Sequence, residues 1–498
     1  MPNLSPGRLA ACAVLLVSLA APGCAPAIGA AASSPSGQAA IERAVQRGLA
    51  RAGLAEAPSE TLGAASARLV SGPMLANVTH RGATIWVETE GASQVAVEVF
   101  GPDTLGTGAP LATSARAASG ADGTAAVRLA GLEPGTTYRY AVSLDGAAVS
   151  RPYALSFTTQ PLWQWRTDPP TFTAVLGSCY YDNDPPYDRP GDGYGGSTAI
   201  FGRIADLDPD LMLWLGDNTY LREVDWWDPA GIDYRFQHSR SDPALQPLLA
   251  RAAHYATWDD HDFGPNNADR SYVLKGATTD TFTRYWPAAA RGLPGVPGVF
   301  TQFQWADVEF FLLDNRTHRA PNDAPASERT ILGAEQRQWL LDALTASQAP
   351  FKVVAMGGQF LNPVRVFENY SNVAPAERQL LLNEITARSV EGVVFVSGDR
   401  HHTELIKLDR PGAYPLYEFT SSPLTAGAST FALREDSPER DNPARVPGTL
   451  VAGDRNFGTL TVSGPRTDRT MTLRTYDASG ALRWEHALRA RDLRPPRD

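Results

Sequence analysis

Leu211-Met212-Leu213-Trp214-Leu215-Gly216-Asp217-Asn218 is a run of five apolar residues with no polar alternation, halted by a glycine and two polar residues. A strand apolar on both faces suits the centre of a sheet that is covered on both sides. The same grammar recurs around it. Thr171–Leu176 leads into Gly177-Ser178-Cys179, and His254–Thr257 into Trp258-Asp259-Asp260-His261-Asp262. Val308–Leu313 leads into Asp314-Asn315-Arg316, Phe351–Ala355 into Met356-Gly357-Gly358-Gln359, and Val393–Val396 into Ser397-Gly398-Asp399-Arg400-His401-His402. Between these runs lie helix-like segments at Thr198–Ala205, Pro243–Ala252, Ala334–Ala346 and Ala376–Ala387, the last opened by Pro375. Alternating strands and helices predict an α/β fold whose strand-end loops share one edge, where such sheets place ligands. The polar clusters, remote in sequence, are expected to meet there.

Outward from this body, 161–498, the chain changes character. Residues 67–160 show short alternating strands at Ala83–Glu88, Gln94–Phe100, Ala125–Leu129, Thr137–Ser143 and Leu155–Thr159, an antiparallel sandwich pattern. Within it, Leu132-Glu133-Pro134-Gly135-Thr136-Thr137-Tyr138-Arg139-Tyr140 resembles fibronectin type III domains, where the tyrosine packs at a sheet corner. Asn456 to Leu488 alternates like a hairpin that completes the sheet layer of the body. Residues 31–66 are rich in Ala, Ser and Gly and read as a tether. Ahead of them, Arg8 followed by the apolar run Leu9–Ala21 reads as a signal peptide over 1–30. Two endings compete: Ala21-Pro22-Gly23-Cys24 as a degenerate lipoprotein box with Cys24 lipidated, or ordinary cleavage near Ala30. The protein is therefore expected outside the cytoplasm, as a periplasmic, cell-surface lipoprotein or secreted form, with Cys24 its sole membrane attachment.

The chain has 498 residues, 43% hydrophobic and 20% charged, enough for two or three domains with a large core. Its formal net charge of −10 argues against a nucleic-acid-binding surface. Beyond Cys12 and Cys24 the sequence holds one cysteine, Cys179, so the body has no internal disulfide. A free cysteine is often a small buried hydrophobe. Its position at a strand end after Gly-Ser also suits a metal ligand. With the carboxylates and imidazoles at the other strand ends, the set matches a site for two cations sharing one carboxylate.

These blocks resemble those of PhoD-type alkaline phosphatases, within the calcineurin-like metallophosphoesterases. Gly216-Asp217 matches the Gly-Asp block whose aspartate bridges the metals. Trp258-Asp259-Asp260-His261-Asp262 is similar to their Trp-Asp-Asp-His-Glu block, and Ser397-Gly398-Asp399-Arg400-His401 to Ser-Gly-Asp-Arg-His. Gly177-Ser178-Cys179 looks like their cysteine-bearing first block, and Asp233-Tyr234-Arg235 like the Asp-Tyr-Arg preceding their second helix. Where they often read Gly-Asp-Tyr, this chain has Gly216-Asp217-Asn218. The resemblance implies a four-layer sandwich, helices flanking two mixed β-sheets, behind the fibronectin-like module.

Carried over, it implies Fe³⁺ bound by Cys179, Asp217, Tyr234 and His401, with Tyr220 an alternative phenol. Asp217 would bridge to a Ca²⁺ site shared by Asp260 and Asp399, with Gln359 or Asn267 nearby. His261, Arg316 and Arg400 are the catalytic candidates, the histidine for the leaving group and the arginines for phosphoryl oxygens. Asn218 and Asn267 are candidate substrate contacts. His402 is read as supporting the loop, and His238 and His254 as structural. The acidic and aromatic insertion Tyr180–Gly196 is a candidate substrate-side loop. The implied activity is hydrolysis of phosphate monoesters or diesters by metal-activated hydroxide, on a phosphorylated small molecule. Two alternatives stand beside it: phospholipase D-like cleavage of phospholipids, and a non-enzymatic calcium-binding or adhesive role.

Overall fold

The computed structural model describes residues 67–102 and 111–495. The signal peptide, Cys24 and the tether lie outside the described residues. Leu211–Leu215 is a fully buried strand whose side chains serve two cores. Leu211, Leu213 and Leu215 join one cluster with Phe310, Val353 and Val394, while Met212 and Trp214 join another with Ile200, Leu248 and Phe282. Alternate side chains of a strand point to opposite faces, so this run is apolar throughout because both faces are covered.

Two sheets pack face to face. The first has nine strands in the order Leu482–Arg489, Thr470–Asp477, Asn456–Ser463, Phe172–Gly177, Leu211–Leu215, Ala253–Thr257, Arg68–Ala76, Ala83–Glu90, Thr124–Leu129. The second has seven: Thr301–Trp305, Val308–Leu312, Phe351–Met356, Val393–Ser397, Ala413–Thr420, His402–Arg410, Val451–Ala452. Helices Ile200–Asp206, Gln246–Arg251 and Lys275–Tyr285 cover the outer face of the first sheet, and Gly333–Ala346 and Pro375–Ala387 that of the second. This is the expected α/β four-layer sandwich. The C-terminal segment is a three-stranded antiparallel meander that pairs against Phe172–Gly177.

The N-terminal module is a β-sandwich, its second sheet built on Leu111–Ala118, Gln94–Phe100 and Thr137–Leu144. The Tyr138 hydroxyl accepts from the Glu133 N–H at 2.9 Å, the corner contact expected of the fibronectin-like stretch. Its first sheet is an extension of the nine-stranded sheet, joined where Leu75 pairs with Ala253. Asp233-Tyr234-Arg235, expected ahead of a helix, lies inside the helix Pro229–Arg240. No helix among the described residues is long and apolar enough to cross a membrane.

Candidate metal centre

Three adjacent parallel strands of the first sheet, Phe172–Gly177, Leu211–Leu215 and Ala253–Thr257, deliver Cys179, Asp217 and the pair Asp260 and His261. Val393–Ser397 of the facing sheet delivers Asp399 and His401. Cys179, Asp217, Asp399 and His401 all hold left-handed backbone, with φ of 57°, 51°, 67° and 54°. Non-glycine residues rarely adopt it, and such strain concentrates at functional sites. Close packing behind the loops sustains it. A Cβ on Gly398 would lie 2.5 Å from the Leu215 carbonyl oxygen, and one on Gly216 would lie 2.7 Å from Cβ of Asp259.

The result is two groups of donor atoms with one shared member. Cys179, Asp217 and His401 form the first, and Asp217, Asp260 and His261 the second, the atoms of each within 4.8 Å of one another. Cys179 Sγ lies 3.6 Å from Asp217 Oδ2 and receives a hydrogen bond from the Ser422 hydroxyl at 3.1 Å. That hydroxyl in turn accepts from the His401 N–H. His401 Nδ1 sits 2.6 Å from the Gly427 carbonyl, which can only accept, so the ring proton belongs there and the Nε2 lone pair faces the centre. Asp399 adjoins these groups without joining either. Its carboxylate lies 4.0 Å from Arg400.

Electrostatics mark the centre as short of positive charge. Burial, with the charges of Cys179, Asp260 and Asp259 added, holds Asp217 well above the usual carboxylate range. Burial together with Asp259 and Asp260 pushes Asp399 up to about 7. The Cys179 thiol is pushed up to about 11, chiefly by burial. Asp260 is the exception: burial opposes its ionisation, but Arg316, His261 and the Asn267 N–H outweigh that and hold it low. His261 is lowered by burial, and its Nδ1 is buried without a partner. Sulfur, imidazole and several carboxylates with too few protein cations form a donor set that fits bound metal ions.

Six expected roles are corrected by position. Tyr234 is 40% exposed and donates to Asp184 at 2.9 Å, away from the centre. The phenol at the centre is Tyr220, whose hydroxyl donates to Asp217 Oδ2 at 3.1 Å and lies 3.2 Å from His401 Nε2. Its ring stacks on His261 with centroids 4.2 Å apart. Gln359 is not a ligand, because its amide donates to Glu404 and Thr420 and its oxygen accepts from Asn362. Arg316, 1% exposed, is consumed by Asp259, Glu368 and the Ala268 carbonyl, with Asp260 at 3.6 Å. Arg400 is held by Glu439 at 2.7 Å and lies over the Phe367 ring. These two arginines position carboxylates and are not free forks for phosphate. Asn218 is buried and donates to the Thr257 carbonyl, so it braces strand ends. Asn267 meets Asp260 through its backbone N–H. Its side chain is exposed.

A third donor group, His402, Glu404 and Glu439, is fully buried behind the first two. Glu404 pairs with Arg445 and Glu439 with Arg400, both at 2.7 Å, so its acids are already balanced. The insertion adds a residue not foreseen individually: the Tyr194 hydroxyl lies 3.2 Å from His401 Nδ1.

The PhoD-like phosphatase family model matches residues 189–473, more than half of the chain, and a domain of unknown function matches 66–162. Alkaline phosphatase D of Bacillus subtilis (strain 168) is 27% identical over 380 residues, 62% of each chain. The match thus spans about three fifths of that relative's length. A solved structure of PhoD superposes with a TM-score of 0.67 at 19% identity, covering 83% of this chain and 91% of that one. A purple acid phosphatase from yellow lupin (Lupinus luteus) seeds gives 0.60 at 14% identity, over 84% and 75% of the two chains. The chain belongs to the PhoD-like phosphatase family.

Proposed function

We propose that the chain is an exported phosphoesterase that hydrolyses phosphate monoesters or diesters at two cations sharing Asp217. The observation that carries this reading is the membership of the Asp217 carboxylate in both donor groups. Cys179, His401 and the Tyr220 phenol suit Fe³⁺, since thiolate and phenolate stabilise a high-valent iron. Asp260, with Asp399 beside it, suits a hard cation such as Ca²⁺. Bound there, such cations supply Lewis acidity and charge for the phosphoryl oxygens.

The remaining work falls to this chain's own side chains. Asp217 orients both halves of the site. His401, fixed by Gly427, presents a neutral Nε2. His261 is held against Tyr220, and burial lowers it below the ordinary imidazole value, which favours the neutral ring. It therefore acts best as an N–H donor to a phosphoryl or leaving-group oxygen, and less as a store of positive charge. Arg316 and Arg400 act indirectly, by setting Asp260 and Asp399.

Export rests on the apolar run Leu9–Ala21, and the alternatives of periplasmic, lipid-anchored and secreted protein follow from Cys24 and Ala30. A phospholipid diester is the second reading, favoured by exposed Val224, Trp227 and Val273 on adjoining loops bridged by the Tyr272 hydroxyl and the Trp226 carbonyl. The deciding experiment is metal analysis of the purified protein, followed by chelation, restoration with iron and calcium, and hydrolysis of matched mono-, di- and phospholipid esters. No turnover with two metals bound would refute the reading.

A further inference from the structure

The insertion between the first two ligand strands is bolted down at many points. Asp184 pairs with the buried Arg235 at 3.1 Å and Asp188 with Arg222 at 3.0 Å. Nearer its tip, Asn183 clamps Gly195, donating to its carbonyl at 2.8 Å and accepting from its N–H at 2.9 Å. The Gly196 N–H donates to the Thr425 carbonyl. Between these clamps stands Tyr194, 46% exposed, its ring edge-on to Tyr181 at 5.0 Å and lying over Gly427. Only the lack of a side chain at Gly427 permits this, because a Cβ there would come within 2.8 Å of the tyrosine ring. Tyr194 is therefore held beside two residues of the centre, its ring centroid 6.5 Å from that of Tyr220 and 6.1 Å from that of His401.

Its hydroxyl is the informative atom. The nearest polar partner is His401 Nδ1 at 3.2 Å, but that nitrogen carries a proton directed to the Gly427 carbonyl at 2.6 Å. Nδ1 then has no lone pair to offer, and the phenol proton has no acceptor among the described residues. Arg316 and Arg400 are committed to carboxylates and do not serve the centre as free phosphate forks. We propose that Tyr194 is a substrate-contacting residue, its hydroxyl donating to an oxygen of the bound phosphoryl group and its ring walling the side of the pocket next to His401. This rests on the phosphoesterase reading for the nature of the ester, but not for the binding of the anion.

Calorimetric titration of the metal-loaded protein with inorganic phosphate separates the two. A hydrogen bond to a charged group, lost in Tyr194→Phe, is expected to weaken phosphate binding about tenfold. Metal content and melting temperature should stay at wild-type values. Gly427→Ala, which keeps the phenol but pushes its ring and hydroxyl aside, should weaken it too. Equal phosphate affinity in wild type and Tyr194→Phe would overturn the proposal. So would a loss that merely tracks lost metal, or a wild-type protein that fails to bind phosphate. A wild-type protein that binds phosphate in this Tyr194-dependent way yet hydrolyses no ester would sink the phosphoesterase reading and leave Tyr194 as an anion contact.

Discussion

His401 and His402 are chain neighbours, yet each belongs to a different cluster of buried acids. Around His402, Glu404 accepts from Arg445 and Gln359, and Glu439 accepts from Arg400 and Asn362. Around His401, Asp217 has only the Tyr220 hydroxyl, the Cys179 thiol and the His261 N–H. Both clusters contain the residue types that bind metals. They differ in where the counter-charge comes from. In the second cluster the protein supplies it with guanidinium groups, and in the first it must arrive from outside. Ligand type alone does not identify a metal site. The test is an acid left without a cation.

The strongest way to break this contrast is at its shared carboxylate. Asp217→Asn keeps the shape but removes the charge that both donor groups use. Metal content is expected to fall at both positions, and ester turnover to fall by at least about four orders of magnitude. Retention of two metals in this variant, measured by elemental analysis, would show that Asp217 does not bridge. The opposite behaviour is expected of Glu404→Gln. It leaves the half-buried Arg445 with a neutral acceptor, at a cost of about 2 kcal/mol of stability in denaturant titration. Its metal content should match wild type. Metal loss without destabilisation would make the second cluster a cation site as well.

The contrast also has a pH signature. In the metal-free protein Asp399 is raised to about 7 by burial and by Asp259 and Asp260. A raised carboxyl contributes stability that is complete below its unfolded value near 4 and is lost as pH rises through about 7. Bound cations stabilise the ionised form and remove that loss. Added metal is therefore expected to raise the melting temperature more at pH 8 than at pH 5, by about 2 °C or more. Glu418 and Asp182, also pushed up to about 7 chiefly by burial, titrate with and without metal, so their effects cancel in the difference. Equal shifts at the two pH values would mean that protons and cations do not compete at this site.

Much of the fold was readable because its central strands are apolar on both faces, a pattern that few other elements produce. Other strands were hidden. Arg68–Ala76 contains Gly72-Pro73, which reads as a turn, yet it forms a strand with a register shift between Ser71 and Met74. Pro229–Arg240 has no apolar stripe, because Arg235, Ser239 and Arg240 are buried alongside Ile232 and Phe236. The strand-end blocks that carry Cys179, Asp217, Asp260 and His401 were legible by position and family resemblance, and the fold brings their donor atoms together. The commitments of Arg316, Arg400 and Gln359 did not, since Glu368, Glu439 and Glu404 lie in other segments and only folding brings them together.

Tyr234 shows how the same blindness misplaced a phenol, and it supplies the smallest expected effect. Each helical residue is turned about 100° from the one before it, so burying Ile232, Arg235 and Phe236 on one face sends Tyr234 outward. There it meets Asp184 and stands edge-on to Tyr187 at 5.9 Å. Tyr220 reaches the centre by a different logic, three residues beyond Asp217 in a loop that folds back, its ring pinned against His261. Tyr220→Phe is expected to cut turnover about 10- to 100-fold and to bleach any visible phenolate-to-iron absorption. Tyr234→Phe should change turnover by less than about twofold and stability by less than about 0.5 kcal/mol, as for other surface substitutions. If the ranking reversed, with the absorption lost in Tyr234→Phe and kept in Tyr220→Phe, the helix Pro229–Arg240 would have to rotate when metal binds.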